Sequence, residues 1–138
     1  MQKQPFSCFT WLNTPLSAKQ ILEWDVDGDS GCFLEVDLVV PDELHDKFNC
    51  FPLAAEHMEI TEKIASATSL AIRKKREGSS SFSSTKLAPN LLPKQKYICH
   101  IRNLQFYLSQ GLQLVGVHRV LRFKQVKKCK HYYSKILY

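Results

Sequence analysis

Six cations stand close together near the end of the chain, at Arg119, Arg122, Lys124, Lys127, Lys128 and Lys130, with Tyr132 and Tyr133 just beyond. Guanidinium and ammonium groups neutralise phosphates, and aromatic rings stack on bases, so this series has the chemistry of a nucleic-acid contact. Arg102, further upstream, is a seventh candidate. The same side chains have a plainer use, because Arg102, His118 and Arg119 can equally form ion pairs with the acids of the first half.

The other chemistry-bearing residues point to less. Asp25, Asp27 and Asp29 alternate beside Gly28 and Gly31, in the manner of a calcium loop. Such a loop needs Gly sixth and Glu twelfth from its first Asp, but Ser30 and Val36 occupy those positions, so a solvated turn is expected. Cys8, Cys32, Cys50, Cys99 and Cys129 form no C-x-x-C pair and do not combine with the five histidines into a zinc pattern. His45 and Asp46 lack a nucleophile, which leaves a loop histidine paired with a neighbour. Arg73-Lys74-Lys75-Arg76 is a basic run that suits a helix C-terminus, a phosphate contact or a localisation signal.

Charge is divided between the two halves. Residues 1–69 carry four lysines and no arginine against twelve acids, a net of −8, and residues 70–138 carry fifteen Lys and Arg against Glu77 alone, a net of +14. A basic surface for a polyanion, or halves that attract each other on folding, would produce that polarity. The 138 residues suffice for about one domain. Widely spaced cysteines in odd number fit reduced thiols. With no apolar run of membrane-spanning length and no signal core near Met1, an intracellular chain without a membrane partner is expected, its compartment open.

The elements that must carry these residues can be read in part. Ser17 with Gln20 has capping-box spacing for a short helix ending near Trp24. Leu34, Val36, Leu38 and Val40 alternate with Glu35 and Asp37, which predicts a strand ended by Pro41. A short helical piece over Glu43–Phe48, a Pro52-broken loop, a helix over Thr61–Arg76 and a Ser-rich flexible connector follow. Then come a strand over Lys96–Ile101, a helix capped by Asn103 and stopped by Gly111, and a strand over Leu112–Phe123. Strand, helix and strand in that order imply a helix packed on a sheet, in an α+β or α/β layer.

Several of these segments together resemble the protein-primed branch of the type-B DNA polymerases, found in viruses, organellar plasmids and large DNA transposons. The resemblance runs from Gly31 to Gln125. It rests on Glu35-Val36-Asp37-Leu38, on Glu43-Leu44-His45-Asp46 through Asn49 and Phe51-Pro52-Leu53-Ala54, and on Leu87 with Pro89-Asn90-Leu91-Leu92. Its densest part is Tyr97, His100, Arg102-Asn103-Leu104-Gln105, Tyr107-Leu108, Gly111-Leu112, His118-Arg119-Val120-Leu121, Phe123 and Gln125. Cys50 stands where the family usually has Asp, Ala55 where Pro is common, and the Ser-rich connector replaces a helical segment.

The resemblance implies an α+β fold: a fragment of the polymerase palm with its inserted subdomain, built of mixed short strands and helices. Residues 1–30 would flank the palm region, 31–125 would form the polymerase-like part with its connector at 78–86, and 126–138 would be a divergent basic tail. Intact members add deoxynucleotides to DNA through two Mg2+ ions held by carboxylates. The chain lacks the family's first Asp motif, its Lys and Asn-Ser-x-Tyr-Gly-like motif and its final D-T-D, so no catalytic or metal-binding residue is assigned to it. It matches the stretch between the first and second polymerase motifs. DNA, deoxynucleotides and a terminal priming protein are the partners implied for the intact polymerase. A non-catalytic basic DNA- or protein-binding module derived from a mobile element is the alternative.

Overall fold

A computed structural model describes residues 2–77 and 83–127. They form two compact units, residues 2–47 with 92–127, and residues 48–77 with 83–91. Both α and β elements are present, and strands dominate.

The first unit is built on a four-stranded antiparallel sheet. In chain order its strands are β1 (Gln4–Trp11), β2 (Ser30–Val39), β5 (Lys94–His100) and β6 (Gln113–Val126), and in space they run β1-β6-β2-β5. The predicted alternation of β2 is realised. Cys32, Leu34, Val36 and Leu38 are fully buried on one face, where they meet Val120, Cys99, Ile21, Ile101 and Leu104. Each such aliphatic side chain contributes about 1.5–3 kcal/mol by leaving water. The last three of these contacts come from two helices, α1 (Ala18–Leu22) and α4 (Ile101–Ser109), so the helices lie on the sheet as expected.

Local chemistry sets the helix ends. Ser17 Oγ accepts the Gln20 N–H at 3.3 Å and Gln20 Oε1 accepts the Ser17 N–H at 2.9 Å, which is the capping box read from the sequence. The start of α4 differs from expectation: His100, not Asn103, is its N-cap, and its Nδ1 accepts the Arg102 N–H at 3.1 Å. No loop separates β5 from α4, so the last strand residue is already extended and in place to cap. Gly111, at φ +100°, closes the helix as predicted, and Leu112 donates its N–H to Tyr107 O at 3.1 Å.

Two close approaches shape the sheet. Gly31 lies opposite Phe123, whose ring covers it; a Cβ there would come within 2.5 Å of the ring. Lys96, at φ +51°, forms a bulge in β5, and its N–H donates to Asp37 Oδ1 at 2.8 Å. The sheet's outer strands are β1 and β5. β1 carries Pro5 and two register irregularities, devices that discourage further pairing at an edge. Cys8, at φ +57°, falls within the second irregularity. These shifts break period-2 alternation, which is why β1 is not legible in the sequence.

The second unit pairs β3 (Glu56–Thr61) with β4 (Ser83–Ala88), antiparallel, with α3 (Ala67–Glu77) between them in the chain. Asn90 Nδ2 donates to Glu56 Oε1 at 3.0 Å beside the pair. The expected helix over Thr61–Arg76 therefore starts later. Ser66 Oγ accepts the Ser69 N–H at 3.2 Å, so a serine that weakens a helix interior acts here as a cap. Part of the expected connector, 83–86, is strand; residues 78–82 lie outside the described residues. The short helical piece is present as a 3-10 turn, Asp42–Leu44, running into the single turn α2 (His45–Phe48).

Candidate nucleic-acid interface

The sheet register divides the predicted cations among different places. Along β6, Arg119 faces Glu35, whereas Arg122 faces Cys32 and Lys124 faces Ser30. Since side chains alternate across a strand, Arg119 lies on the face away from the helices, and Arg122 and Lys124 lie on the other. Arg102 projects from the first turn of α4. Lys127 is exposed after β6, and Lys128, Lys130, Tyr132 and Tyr133 lie outside the described residues.

Two of the predicted residues are already neutralised. Arg102 Nη2 donates to Asp27 Oδ1 at 2.6 Å, and Arg119 Nε donates to Glu35. His118 Nε2 lies 2.8 Å from Asp37 Oδ2. All three are pairings of the basic half with the acidic half. The Arg119 guanidinium also lies over the Trp11 ring, 5.5 Å from its centroid. The hydrogen bond and charge of Arg102 hold the Asp27 carboxyl below the usual range, and Arg119 does the same for Glu35. Glu35 in turn raises the pKa of Arg119 through the same hydrogen bond and charge. Asp37 is lowered first by the Lys96 N–H and then by His118.

By contrast, Arg122 and Lys124 form no ion pair among the described residues; the former donates from Nη2 to Ser30 Oγ at 3.1 Å. Both side chains are exposed. With the exposed Lys127 they are the part of the predicted set, among the described residues, left available for a phosphate. Thr10 and Ser30 stand beside them, and neither was among the sequence candidates. Their role depends on β1, which has no alternating signal, and on the β2–β6 register, which spans more than ninety residues of chain.

The acidic loop is more than a solvated turn. Its carbonyls and those at the end of α1 are taken up from several directions: Gln105 Nε2 donates to Trp24 O at 2.9 Å and to Ile21 O of the helix at 2.8 Å, and Gln125 Nε2 donates to Val26 O at 3.0 Å and Gly28 O at 2.9 Å. Lys3 Nζ donates to Gly28 O and to Asp29 Oδ1, at 3.0 and 2.7 Å, and its hydrogen bond is the main cause of the lowered Asp29 pKa. Asp25 Oδ1 accepts the Asp27 N–H at 3.0 Å. With these carboxylates committed to Arg102, Lys3 and the backbone, the loop offers no shared ligand set. Among the described residues no three His, Cys, Asp or Glu side chains gather closely enough to hold a metal ion.

The remaining candidates have local roles. His45 Nε2 donates to Val40 O at 3.1 Å and lies 3.7 Å from Asp42, a neighbour pairing of the kind expected. Cys32 and Cys99 are buried, and burial pushes both thiols up to about 12, which makes them inert. No described helix is long and apolar enough to cross a membrane.

In comparison with known proteins, the chain matches no family model, no curated protein and no solved structure.

Proposed function

We propose that this chain is the stretch of a protein-primed type-B DNA polymerase between its first and second polymerase motifs, and that it contacts DNA without transferring nucleotides by itself. The reading is supported by the way the resembling residues depend on one another. Glu35 pairs with Arg119, 84 positions later, and Asp37 pairs with His118. Arg102, Gln105 and Gln125 all hold the loop that precedes β2, which lies outside the resembling stretch. Gly111 has the positive φ that its helix end requires. Contacts of this kind are what a common ancestral fold requires of these residues.

Nucleotidyl transfer in the family needs carboxylates that share two Mg2+ ions. The donor set here does not fit that group, because the acids of the 25–29 loop are separately engaged. The chain's own part is therefore binding, and the chemistry, deoxynucleotides and priming protein belong to the intact polymerase.

Two experiments test this. Genomic DNA on either side should encode the upstream Asp motif and the downstream D-T-D; flanks without any polymerase motif overturn the ancestry. Primer extension by the purified chain with magnesium and deoxynucleotides should give no product, and robust extension overturns the non-catalytic role. A free-standing basic binding module is the second reading, favoured by the unpaired Arg122 and Lys124. Flanking DNA that lacks the motifs, together with tight and salt-sensitive oligonucleotide binding, would select it.

A further inference from the structure

Where β1, β6 and β2 lie side by side, the register sets two rows of side chains on the helix-bearing side of the sheet. Thr10 is next to Arg122, and Ser7 and Ser30 flank Lys124. Thr10, Ser30, Arg122 and Lys124 line a cavity of about 260 Å³ whose wall also includes Cys8 and Leu12.

The donor balance of this cavity is positive. Arg102 and Arg119 are each matched by a carboxylate, but Arg122 and Lys124 have none among the described residues. Asp29 is the carboxylate whose pKa responds to Lys124, and that response is through charge alone; its oxygen is bound to Lys3, and its side chain is 95% exposed. The Arg122 guanidinium spends one contact on Ser30 Oγ, which orients it and leaves most of its five N–H donors free. An arginine fork, a lysine point charge and the Ser30 hydroxyl form a donor set with excess positive charge, and the Thr10 hydroxyl, which donates to Cys8 O at 3.5 Å, joins it by turning from that carbonyl. That set suits a tetrahedral oxyanion and repels a metal ion.

We propose that this cavity holds a phosphate group, with Arg122 and Lys124 as charged donors and the Thr10 and Ser30 hydroxyls as neutral ones. The site gives the proposed DNA contact an address and rests on that reading for its natural ligand, a phosphate of the nucleic-acid backbone. It differs from the series of cations read from the sequence, because its hydroxyls come from two other strands.

Cys8 in the wall supplies a reporter, and exposed Cys50, in the other unit, supplies a reference. The full chain is alkylated with iodoacetamide alone, with a short single-stranded oligonucleotide, or with inorganic phosphate, and the rate at each cysteine is read by mass mapping. The oligonucleotide should slow Cys8 several-fold and leave Cys50 unchanged. Protection by the oligonucleotide at concentrations where inorganic phosphate has no effect assigns the site to a nucleic-acid backbone, and equal protection by both assigns it to free phosphate. In the R122Q/K124Q chain the protection should vanish while the melting temperature holds, and T10V should weaken it. No protection by either anion, or protection that persists in R122Q/K124Q, overturns the site. Neither result depends on the flanking DNA, so failure of the site and failure of the polymerase ancestry are separately visible.

Discussion

Arg102 and Gln125 converge on one atom: each donates to the carbonyl oxygen of Val26, at 3.0 Å in both cases. One arrives from α4 and the other from β6, so the acidic loop is fastened to a helix and to a strand distant in the chain. The arrangement explains how a Gly- and Asp-rich segment, which prefers turns, is held in a single conformation at the end of the sheet.

Gln125 is 2% exposed and satisfies two loop carbonyls. Replacing it with leucine keeps the volume approximately and leaves both acceptors without this donor. Q125L should lose about 1–3 kcal/mol of stability, as two hydrogen bonds of about 0.5–1.5 kcal/mol each are removed while Val26 O keeps Arg102 and Gly28 O keeps Lys3. Urea unfolding measures this, and an unchanged midpoint would show that water replaces the amide freely.

His100 caps α4 through Nδ1, an acceptor role that needs the neutral ring. Burial first, and the Arg102 charge second, lower its pKa below 6.5. The unfolded chain therefore binds the proton more readily, and the cap's stabilisation is complete above pH 6.5 and lost as pH falls through the lowered folded value. Melting temperature should drop between about pH 7.5 and pH 5 in the parent chain. H100N retains a capping acceptor that does not titrate, so its melting temperature should drop less over the same range.

Asp37 fastens two neighbouring strands, accepting from the Lys96 N–H and lying against His118. Its lowered pKa gives stability that is present above pH 3.8 and lost as pH falls through the folded value. D37N should be less stable at neutral pH and show a shallower acid limb. Thermal melts of both chains from about pH 6 downward compare the slopes, and identical acid limbs would remove Asp37 from the account.

The four described thiols should separate into two classes. Cys8 and Cys50 are exposed, while Cys32 and Cys99 are buried with pKa values near 12. In native buffer alkylation should reach the first pair quickly and the second only on unfolding, since the reactive species is the thiolate. Rapid native labelling of Cys32 would mean that the face between β2 and the helices opens readily.

The sequence by itself determined what is local. The alternation of Leu34, Val36 and Leu38, the Ser17–Gln20 capping box and the Gly111 stop each involve residues within a few positions, and the structure contains all three. It also showed that the basic half has acidic partners available. Tertiary structure alone decided which cations are consumed. A one-residue step along β6 turns a side chain to the other face, so Arg119 meets Glu35 while Arg122 and Lys124 come beside Thr10 and Ser30. That outcome depends on strand order and register, which are set by the burial of β2 and by bulges at Cys8 and Lys96, where residues sit in backbone conformations that no pattern of residue types announces.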